Sequence, residues 1–246
     1  DQLMQSVELE REANTGIKVQ KLGQIVWSRI GFNYPNATVP SLLEISASIE
    51  PGERIAIMGR NGSGKTTLLT ILSTLLQPSD GSATILGYDV AKKSTALRNV
   101  IGFIRHQPML YENFSPVEDL ELFAKIYRVS DAREQIRRLL TNVGIWHLRD
   151  EAIGTLSRGQ KQRLMIAKAL LHKPKVLLLD EPEIGLDQSG LRVLDELILM
   201  REEEDSTPIT VLAATHREDR VDTWATGFVR LERGQIIETT LSENIE

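Results

Sequence analysis

The sequence predicts an α/β fold built on a parallel β-sheet. Three short apolar stretches, residues 54–58, 176–179 and 210–214, have the length and composition of buried strands. Apolar residues at helical spacing follow the first two of them, over 68–76 and 191–198. Strands that alternate with helices are joined by crossovers, which favour a parallel sheet. The run at 176–179 contains no polar residue, as expected for a strand covered on both faces.

The first part of the chain divides into a polar arm and a strand-rich section. Residues 1–24 are polar and predict either a frayed helix or a disordered arm. Residues 25–34 are predicted to form a strand, and every second residue over 43–49 is apolar, as in a half-buried strand. A Pro-Gly turn at 51–53 ends this section.

The middle and the tail of the chain have different patterns. Residues 118–171 are mixed and more helical than the rest. The tail predicts a hairpin with strands at 228–231 and 236–239, joined by a turn at 232–235.

Composition excludes several classes of function. The 29 basic and 34 acidic residues give a net charge of −5, which provides no field for attracting nucleic acid. Cysteine is absent, so neither disulfides nor thiolate metal sites contribute. No stretch approaches the roughly 18 consecutive apolar residues of a membrane span. We therefore expect no nucleic-acid partner and no direct membrane insertion, and any membrane role must come through a partner chain.

The most specific motif is a glycine-rich loop at 59–66 between the strand at 54–58 and the following helix. It fits the eight-position phosphate-loop pattern in the context that this motif requires. Its glycines let backbone N–H groups converge on a phosphate at a helix N-terminus. Lys65 is expected to contact the β- and γ-phosphates of a nucleotide, and the Thr66 hydroxyl to bind Mg²⁺. The alternative is a simple glycine turn before a helix.

Two carboxylates follow the apolar strand at 176–179. Asp180 suits a direct or water-mediated contact with Mg²⁺, because the carboxyl end of a parallel strand opens onto the ligand crevice. Strand side chains alternate, so Glu181 is expected on the opposite face, where it can polarise an attacking water. The alternative is a pair of solvated acids at a strand end.

A third motif carries a family resemblance. Residues 156–160, Leu-Ser-Arg-Gly-Gln, are close to the LSGGQ signature, and with the two preceding motifs the sequence resembles the ABC ATPase family. Ser157 suits the N-cap of a helix that presents its hydroxyl, the Gly159 amide and the helix dipole to a phosphate. The resemblance implies a RecA-like parallel core, an N-terminal antiparallel β-subdomain and an inserted helical subdomain near 108–170, within a domain at 25–246.

The resemblance also implies roles for individual residues. The expected catalytic residues are Glu181, the switch histidine His216 and the Q-loop glutamine Gln107, and the expected metal ligands are Thr66, Gln107 and Asp180. Tyr34 is similar to the aromatic residue that stacks on adenine, with Phe32 as a near competitor. The full set expected to bind nucleotide comprises Tyr34, Gly59, Asn61, Gly62, Ser63, Gly64, Lys65, Thr66, Thr67, Ser157, Gly159, Gln160 and the D-loop residue Asp187.

Two departures from the family pattern stand out. Arg158 replaces a glycine of the signature, and the D-loop at 183–187 reads Glu-Ile-Gly-Leu-Asp. Neither change removes a group assigned to catalysis, so we expect a competent site. Arg158 either reaches the γ-phosphate bound by a partner copy or points into solvent.

The family resemblance further implies an assembly. ATP is expected to lie between the phosphate loop of one copy and the signature of another, in a head-to-tail homodimer or heterodimer. The helical section between the Q-loop and the signature is expected to transmit motion to a transmembrane permease on a separate chain. The implied location is peripheral, on the cytoplasmic face of the inner membrane.

The subfamily is the least determined feature. The stretches 102–111, 118–120, 158–163 and 169–172 are similar to the ATPase subunit of the haem exporter in cytochrome c maturation. They are also similar to exporter ATPases for drugs, lipids or polysaccharides. A non-transport ABC protein is the other alternative, but the chain has one motif set and no long heptad insertion. A nucleotide-binding pseudo-ATPase is disfavoured by the presence of Glu181.

Overall fold

A computed structural model describes residues 24–92, 94–105, 109–199 and 208–241. Its strands are β1 Ile25–Phe32, β2 Leu42–Ile49, β3 Arg54–Met58, β4 Asp80–Ile85, β5 Tyr88–Asp89, β6 Ile101–Ile104, β7 Val176–Asp180, β8 Thr210–Ala214, β9 Gly227–Glu232 and β10 Gln235–Thr239. Its α-helices are α1 Lys65–Leu72, α2 Thr95–Asn99, α3 Pro116–Tyr127, α4 Ala132–Asn142, α5 Arg158–Leu170, α6 Gln188–Leu199 and α7 Glu218–Trp224.

The larger sheet confirms the predicted parallel core. Its strand order is β10-β9-β3-β8-β7-β6, and β9, β3, β8, β7 and β6 pair in parallel. The predicted strands at 54–58 and 210–214 have these bounds in the structure. The tail hairpin is also confirmed, with Arg233 and Gly234 both at positive φ, as a two-residue hairpin turn of type I′ requires.

Both faces of the parallel sheet are covered. Along β3, Ala56 and Met58 belong to a core shared with the helices α3 to α5, whereas Ile55 and Ile57 belong to a core shared with α1 and the smaller sheet. Successive strand residues point to opposite faces, so this division follows from the pleat. The apolar run without polar residues at 176–179 is explained by the same two-sided burial.

The smaller sheet is antiparallel, with order β2-β1-β4-β5. The simple alternation predicted over 43–49 is wrong at its start, because Leu42 is buried and Leu43 is exposed. Glu44 has φ 46° and the pairing of β1 with β2 shifts register there. This irregularity exchanges the two faces, since one extra residue turns every preceding side chain over.

Three other differences from the predicted elements have local causes. Strands β4 and β6 are absent from the sequence prediction. Strand β6 has four residues including Gly102, and β4 reads Asp-Gly-Ser-Ala-Thr-Ile, so neither has the long apolar pattern that predicts a strand. Helix α1 ends at Leu72 although apolar spacing continues to Leu76, because Thr74 is left-handed with φ 69°. Residues 1–23 of the predicted polar arm lie outside the described part of the chain.

The helices between 116 and 170 form a packed group. Helix α3 begins with a capping box in which Ser115 and Glu118 exchange hydrogen bonds, followed by Pro116 at the first helical position. Helix α4 packs against α3 and α5, and α5 also packs against β6 of the parallel sheet. Within the described ranges, no helix is both long and apolar enough to cross a membrane.

Candidate nucleotide-binding and catalytic site

The phosphate loop is fixed by close backbone contacts beneath it. Gly59 has φ 138°, and a Cβ atom there would lie 2.2 Å from the Leu231 carbonyl oxygen. Gly64 has φ 110°, and its Cβ would lie 2.6 Å from the Ser41 carbonyl oxygen. A side chain fits at neither position, so the glycines are required for the loop to pack against β9 and the start of β2.

The hairpin turn supports the same loop, which the sequence did not reveal. The Gly234 N–H donates to the Ser63 carbonyl oxygen at 3.1 Å, and its own carbonyl accepts from Leu43 N–H at 2.8 Å. The turn itself was predicted, but its contact joins segments about 170 positions apart in sequence. The Ser63 hydroxyl is buried and has no hydrogen-bond partner among the described residues. It can therefore form a hydrogen bond with a ligand bound in the loop.

Lys65 is held inside the loop. It is 4% exposed, and its Nζ donates to the carbonyl oxygens of Gly59 at 2.7 Å and Arg60 at 3.1 Å. Burial lowers the pKa of Lys65, and the nearby carboxylates of Glu181 and Asp180 oppose that shift. An anionic phosphate would restore the favourable environment for this buried charge.

Thr66 and Asp180, two of the residues expected to bind a metal ion, are in contact. The Thr66 hydroxyl donates to Asp180 Oδ1 at 3.0 Å, because α1 packs over β7 and β8 and brings its first turn to the strand end. These are hard oxygen donors, and Mg²⁺ at nucleotide sites uses one or two protein oxygens together with phosphates and water. No group of three or more acidic, histidine or cysteine side chains in the described part of the chain is arranged to hold a metal ion by itself. The pair therefore fits Mg²⁺ bound with a nucleotide.

Glu181 lies beside this pair for a different reason from the one predicted. Strand β7 ends at Asp180, and Glu181 is left-handed with φ 51°, so strand alternation does not set its direction. Its N–H donates to the Ala214 carbonyl oxygen at 3.0 Å, which fixes it to the end of β8. His216 follows that strand end, and its Nδ1 lies 3.9 Å from Glu181 Oε1.

The ends of three parallel strands thus bring five predicted residues together: Lys65, Thr66, Asp180, Glu181 and His216. Strand β8 lies between β3 and β7, so the turns that follow these strands share one edge. Gln107 lies outside the described residues.

Tyr34 is the better placed of the two aromatic candidates for adenine. It is 43% exposed, whereas Phe32 is 7% exposed and belongs to the core. The rings meet edge to face at 4.9 Å, and the Tyr34 hydroxyl lies 3.4 Å from Thr67 Oγ1 at the start of α1. Asn61 and Gly62 are exposed on the outer side of the phosphate loop.

The signature residues begin α5. Ser157 Oγ accepts from the Gln160 N–H at 3.3 Å, and Gln160 Oε1 accepts from the Ser157 N–H at 2.8 Å, forming a capping box. A Cβ atom at Gly159 would lie 2.7 Å from the Gly185 carbonyl oxygen. The signature therefore packs against the D-loop of its own chain and requires glycine there.

Asp187 immediately precedes α6 and is held by Arg163, to which the sequence analysis assigned no role. Asp187 Oδ1 accepts from Gly190 N–H at 2.8 Å and from Arg163 Nη2 at 3.0 Å, and hydrogen bonds led by the Gly190 one lower the pKa of this carboxyl. Arg163 also donates to the Val143 carbonyl oxygen at 3.0 Å. It thus ties the D-loop to the end of α4, a contact without a local sequence signal.

Arg158 is exposed, and its stem lies against the D-loop of its own chain. A Cβ atom at Gly185 would lie 3.0 Å from Arg158 Cγ and 3.2 Å from its Cδ, so the aliphatic stem lies along the D-loop. We expect Arg158→Gly to weaken ATP-driven dimerisation by about 1 kcal/mol, roughly fivefold, through a looser D-loop. The dimerisation constant is measured by light scattering over a range of salt concentrations.

The matched control for this prediction is Arg158→Met, which keeps the stem and removes the charge. It should dimerise like the wild type with an unchanged salt slope. A weaker dimer with a shallower salt slope in this variant would show instead that the guanidinium contacts a phosphate, because an exposed ionic contact is screened by salt.

The fold and these motifs define an ATPase of the ABC class, with a phosphate loop, an acidic strand end and a signature helix around a RecA-like core. A family model described as ABC transporter matches residues 42–183. The chain belongs to this family and is an ATP-binding ATPase.

Individual relatives agree with this assignment. The ABC transporter ATP-binding protein NatA of Bacillus subtilis is 30% identical over 209 residues, covering 84% of each protein. The structure of the dimeric ATP-binding cassette MJ0796, in a post-hydrolysis state with ADP and Pi, is 25% identical with a TM-score of 0.77, covering 88% of this chain and 98% of the other. CbiO1 of Clostridium perfringens, part of the transporter complex cbiONQ, is 32% identical with a TM-score of 0.73, covering 87% of each chain.

Other relatives are longer than the matching region. The chain covers 62% of YdbJ of Bacillus subtilis and 29% of YbhF of Escherichia coli. The match therefore extends over only part of each of those proteins.

Proposed function

We propose that this chain hydrolyses Mg-ATP between two copies and thereby powers an exporter whose membrane-spanning part is a separate chain. The observation that carries the proposal is the division of the motifs. Lys65, Thr66, Asp180, Glu181 and His216 share one edge of the parallel sheet, whereas the signature begins a helix of the helical group. A second copy supplies a signature to complete the ATP site.

The residues at the sheet edge have distinct roles in this proposal. Lys65 exchanges its two backbone carbonyl partners for phosphate oxygens, and Glu181 orients the attacking water and accepts its proton. His216, whose Nδ1 lies 3.9 Å from Glu181 Oε1, contacts the transferring phosphoryl group. Thr66 and Asp180 would hold Mg²⁺, which would neutralise phosphate charge when bound. Positioning and charge stabilisation supply most of the catalysis.

The signature side contributes a helix N-terminus. Ser157 is exposed and its hydroxyl accepts only a long hydrogen bond within the capping box, so it can turn toward a phosphate of the partner's nucleotide. The MJ0796 cassette is dimeric in a post-hydrolysis state with ADP and Pi, which supports the same arrangement here. Closure of the two copies excludes water, and hydrolysis reopens them.

A groove on the helical side fits a segment of the membrane chain. Its volume is about 840 Å³, and β6, α3 and α5 line it. Met109, Tyr111 and Ile126 are exposed at it, which gives an apolar surface. The lining also includes the exposed Arg105, and Lys168, which forms an ion pair with the buried Asp119. We infer that the occupant is a cytoplasmic segment of the permease with apolar side chains and an acidic residue. In this proposal the chain lies at the cytoplasmic face of the membrane.

Beside drugs, lipids and polysaccharides, the sequence stretches alone give haem as a candidate cargo. The relatives do not support it: BcrA of Bacillus licheniformis, 32% identical over 198 residues, is a bacitracin transport protein, and YbhF is a probable multidrug transporter protein. We therefore favour the alternative class, an exporter of drug-like or other amphipathic compounds.

The groove provides the test of the membrane-partner proposal. Co-expressed with its genomic neighbours, the chain should sediment with membranes. Ile126→Glu, at a position that is 65% exposed in the groove, should move it to the soluble fraction while the ATPase rate of the isolated chain stays unchanged. The matched control is Ile237→Glu on β10, 55% exposed outside the groove, which should still sediment. Equal sedimentation of both variants would contradict docking at this groove.

A further inference from the structure

The D-loop contains a buried acid that the ATPase mechanism above does not use. Glu183 is 7% exposed and lies two residues after Glu181. Acidic side chains are rarely buried unless they are paired, because burial disfavours their charged form. Burial accordingly raises the pKa of Glu183. An acid retained in such a place needs a structural or functional reason.

The partner of Glu183 lies at the end of β8. The Thr215 hydroxyl donates to Glu183 Oε1 at 2.8 Å, and the same hydroxyl accepts from the Arg217 N–H at 2.9 Å. Thr215 is fully buried, and its N–H donates to the Ile57 carbonyl oxygen at 3.1 Å. These bonds hold Thr215 and Arg217, the residues on either side of His216 in the chain. They therefore fix the backbone that carries His216.

Glu183 is itself anchored within the loop that carries Glu181. The Glu183 carbonyl accepts from Leu186 N–H at 3.1 Å, and the Glu181 carbonyl accepts from Ile184 N–H at 3.2 Å. Gln162 of α5 adds a contact by donating to the Pro182 carbonyl oxygen at 2.9 Å. The carboxyl group thus adds a side-chain link between the turn bearing Glu181 and the turn bearing His216, beside the backbone bond from Glu181 N–H to Ala214.

We propose that Glu183 is a positioning residue for ATP hydrolysis, which sets His216 against Glu181 through its hydrogen bond with Thr215. The proposal rests on the roles proposed above for Glu181 and His216. Glu183 touches neither nucleotide nor water in this scheme. Its contribution depends on the acceptor oxygen, so a glutamine in its place preserves the function.

The kinetic test uses the full chain and compares Glu183→Ala with Glu183→Gln. Glu183→Ala should lower kcat for ATP hydrolysis by about tenfold, corresponding to one lost buried hydrogen bond, while ATP affinity stays near that of the wild type. Glu183→Gln should retain a kcat within about twofold. A wild-type kcat in Glu183→Ala, or an equal loss in both variants, overturns the proposal.

Two double-mutant cycles separate this proposal from the one it rests on. Because the Thr215 hydroxyl also accepts from the Arg217 N–H, Thr215→Val should lower kcat less in a Glu183→Ala background than in the wild type. Glu183→Ala should have no effect in a His216→Ala background. Additive losses in either cycle overturn the positioning role of Glu183. A wild-type kcat in the single variant His216→Ala shows instead that the proposed role of His216 is wrong. Thermal unfolding of each variant confirms that it is folded.

Discussion

Glu181→Gln is expected to lower the rate of ATP hydrolysis by about 10²–10⁴-fold, the contribution typical of a general base. The substitution preserves size and backbone, including the N–H bond to Ala214, and removes only the negative charge beside His216. The phosphate loop is unaffected, so ATP affinity should remain within about twofold of the wild type. Phosphate release and nucleotide affinity are measured on the same preparation.

A second readout follows from the interfacial position of ATP. If hydrolysis reopens the dimer, Glu181→Gln should accumulate an ATP-bound dimer that is visible by light scattering, and ADP should not support it. The control is Glu232→Gln, which removes an exposed carboxylate from the tail hairpin and should hydrolyse ATP normally. Phosphate release at the wild-type rate in Glu181→Gln would remove this residue from the catalytic role.

The features that the sequence predicted well are those with local signals. The strands at 54–58 and 210–214 are apolar runs ended by turn residues or polar positions. Their bounds in the folded chain are the same as those predicted from this local pattern. The phosphate loop shows its glycines, its lysine and its helix within one continuous segment. Strand β4 carries mostly small and polar residues, because it needs an apolar face only near Ala83 and Ile85. Its pattern was therefore too weak to detect.

The features that the sequence missed depend on distant segments. Gly234 donates a hydrogen bond to Ser63, and Arg163 bonds both Val143 and Asp187. The spacing of residues in the sequence does not predict any of these three contacts. The placement of Glu181 is a related case. The sequence analysis predicted that Glu181 lies near Thr66 and Asp180, and inferred its direction from strand alternation. In the structure that direction is set by the left-handed backbone of Glu181 and by its N–H bond to Ala214. Such contacts arise only when the sheet order is known.

Substitution of Lys65 should weaken nucleotide binding more than any other change proposed here. Lys65→Met keeps most of the side-chain volume and removes the charge, so the phosphates lose a buried ionic hydrogen-bond partner. The expected cost is about 2–5 kcal/mol, which lowers ATP affinity by roughly 30-fold to several thousand-fold. Nucleotide affinity is measured by titration calorimetry, and dimerisation with ATP should disappear along with binding.

Ligand-induced stabilisation distinguishes lost binding from lost folding. ATP at about 100 times its Kd should stabilise the wild type by about 2.7 kcal/mol and raise its Tm, whereas the Tm of Lys65→Met should not respond to the same ATP concentration. Lys92→Ala removes an exposed lysine outside the site and should respond like the wild type. A Tm increase of wild-type size in Lys65→Met would show that the lysine, although buried in the loop with its Nζ on Gly59 and Arg60, is not the main phosphate contact. The backbone N–H groups of the loop would then carry phosphate binding alone.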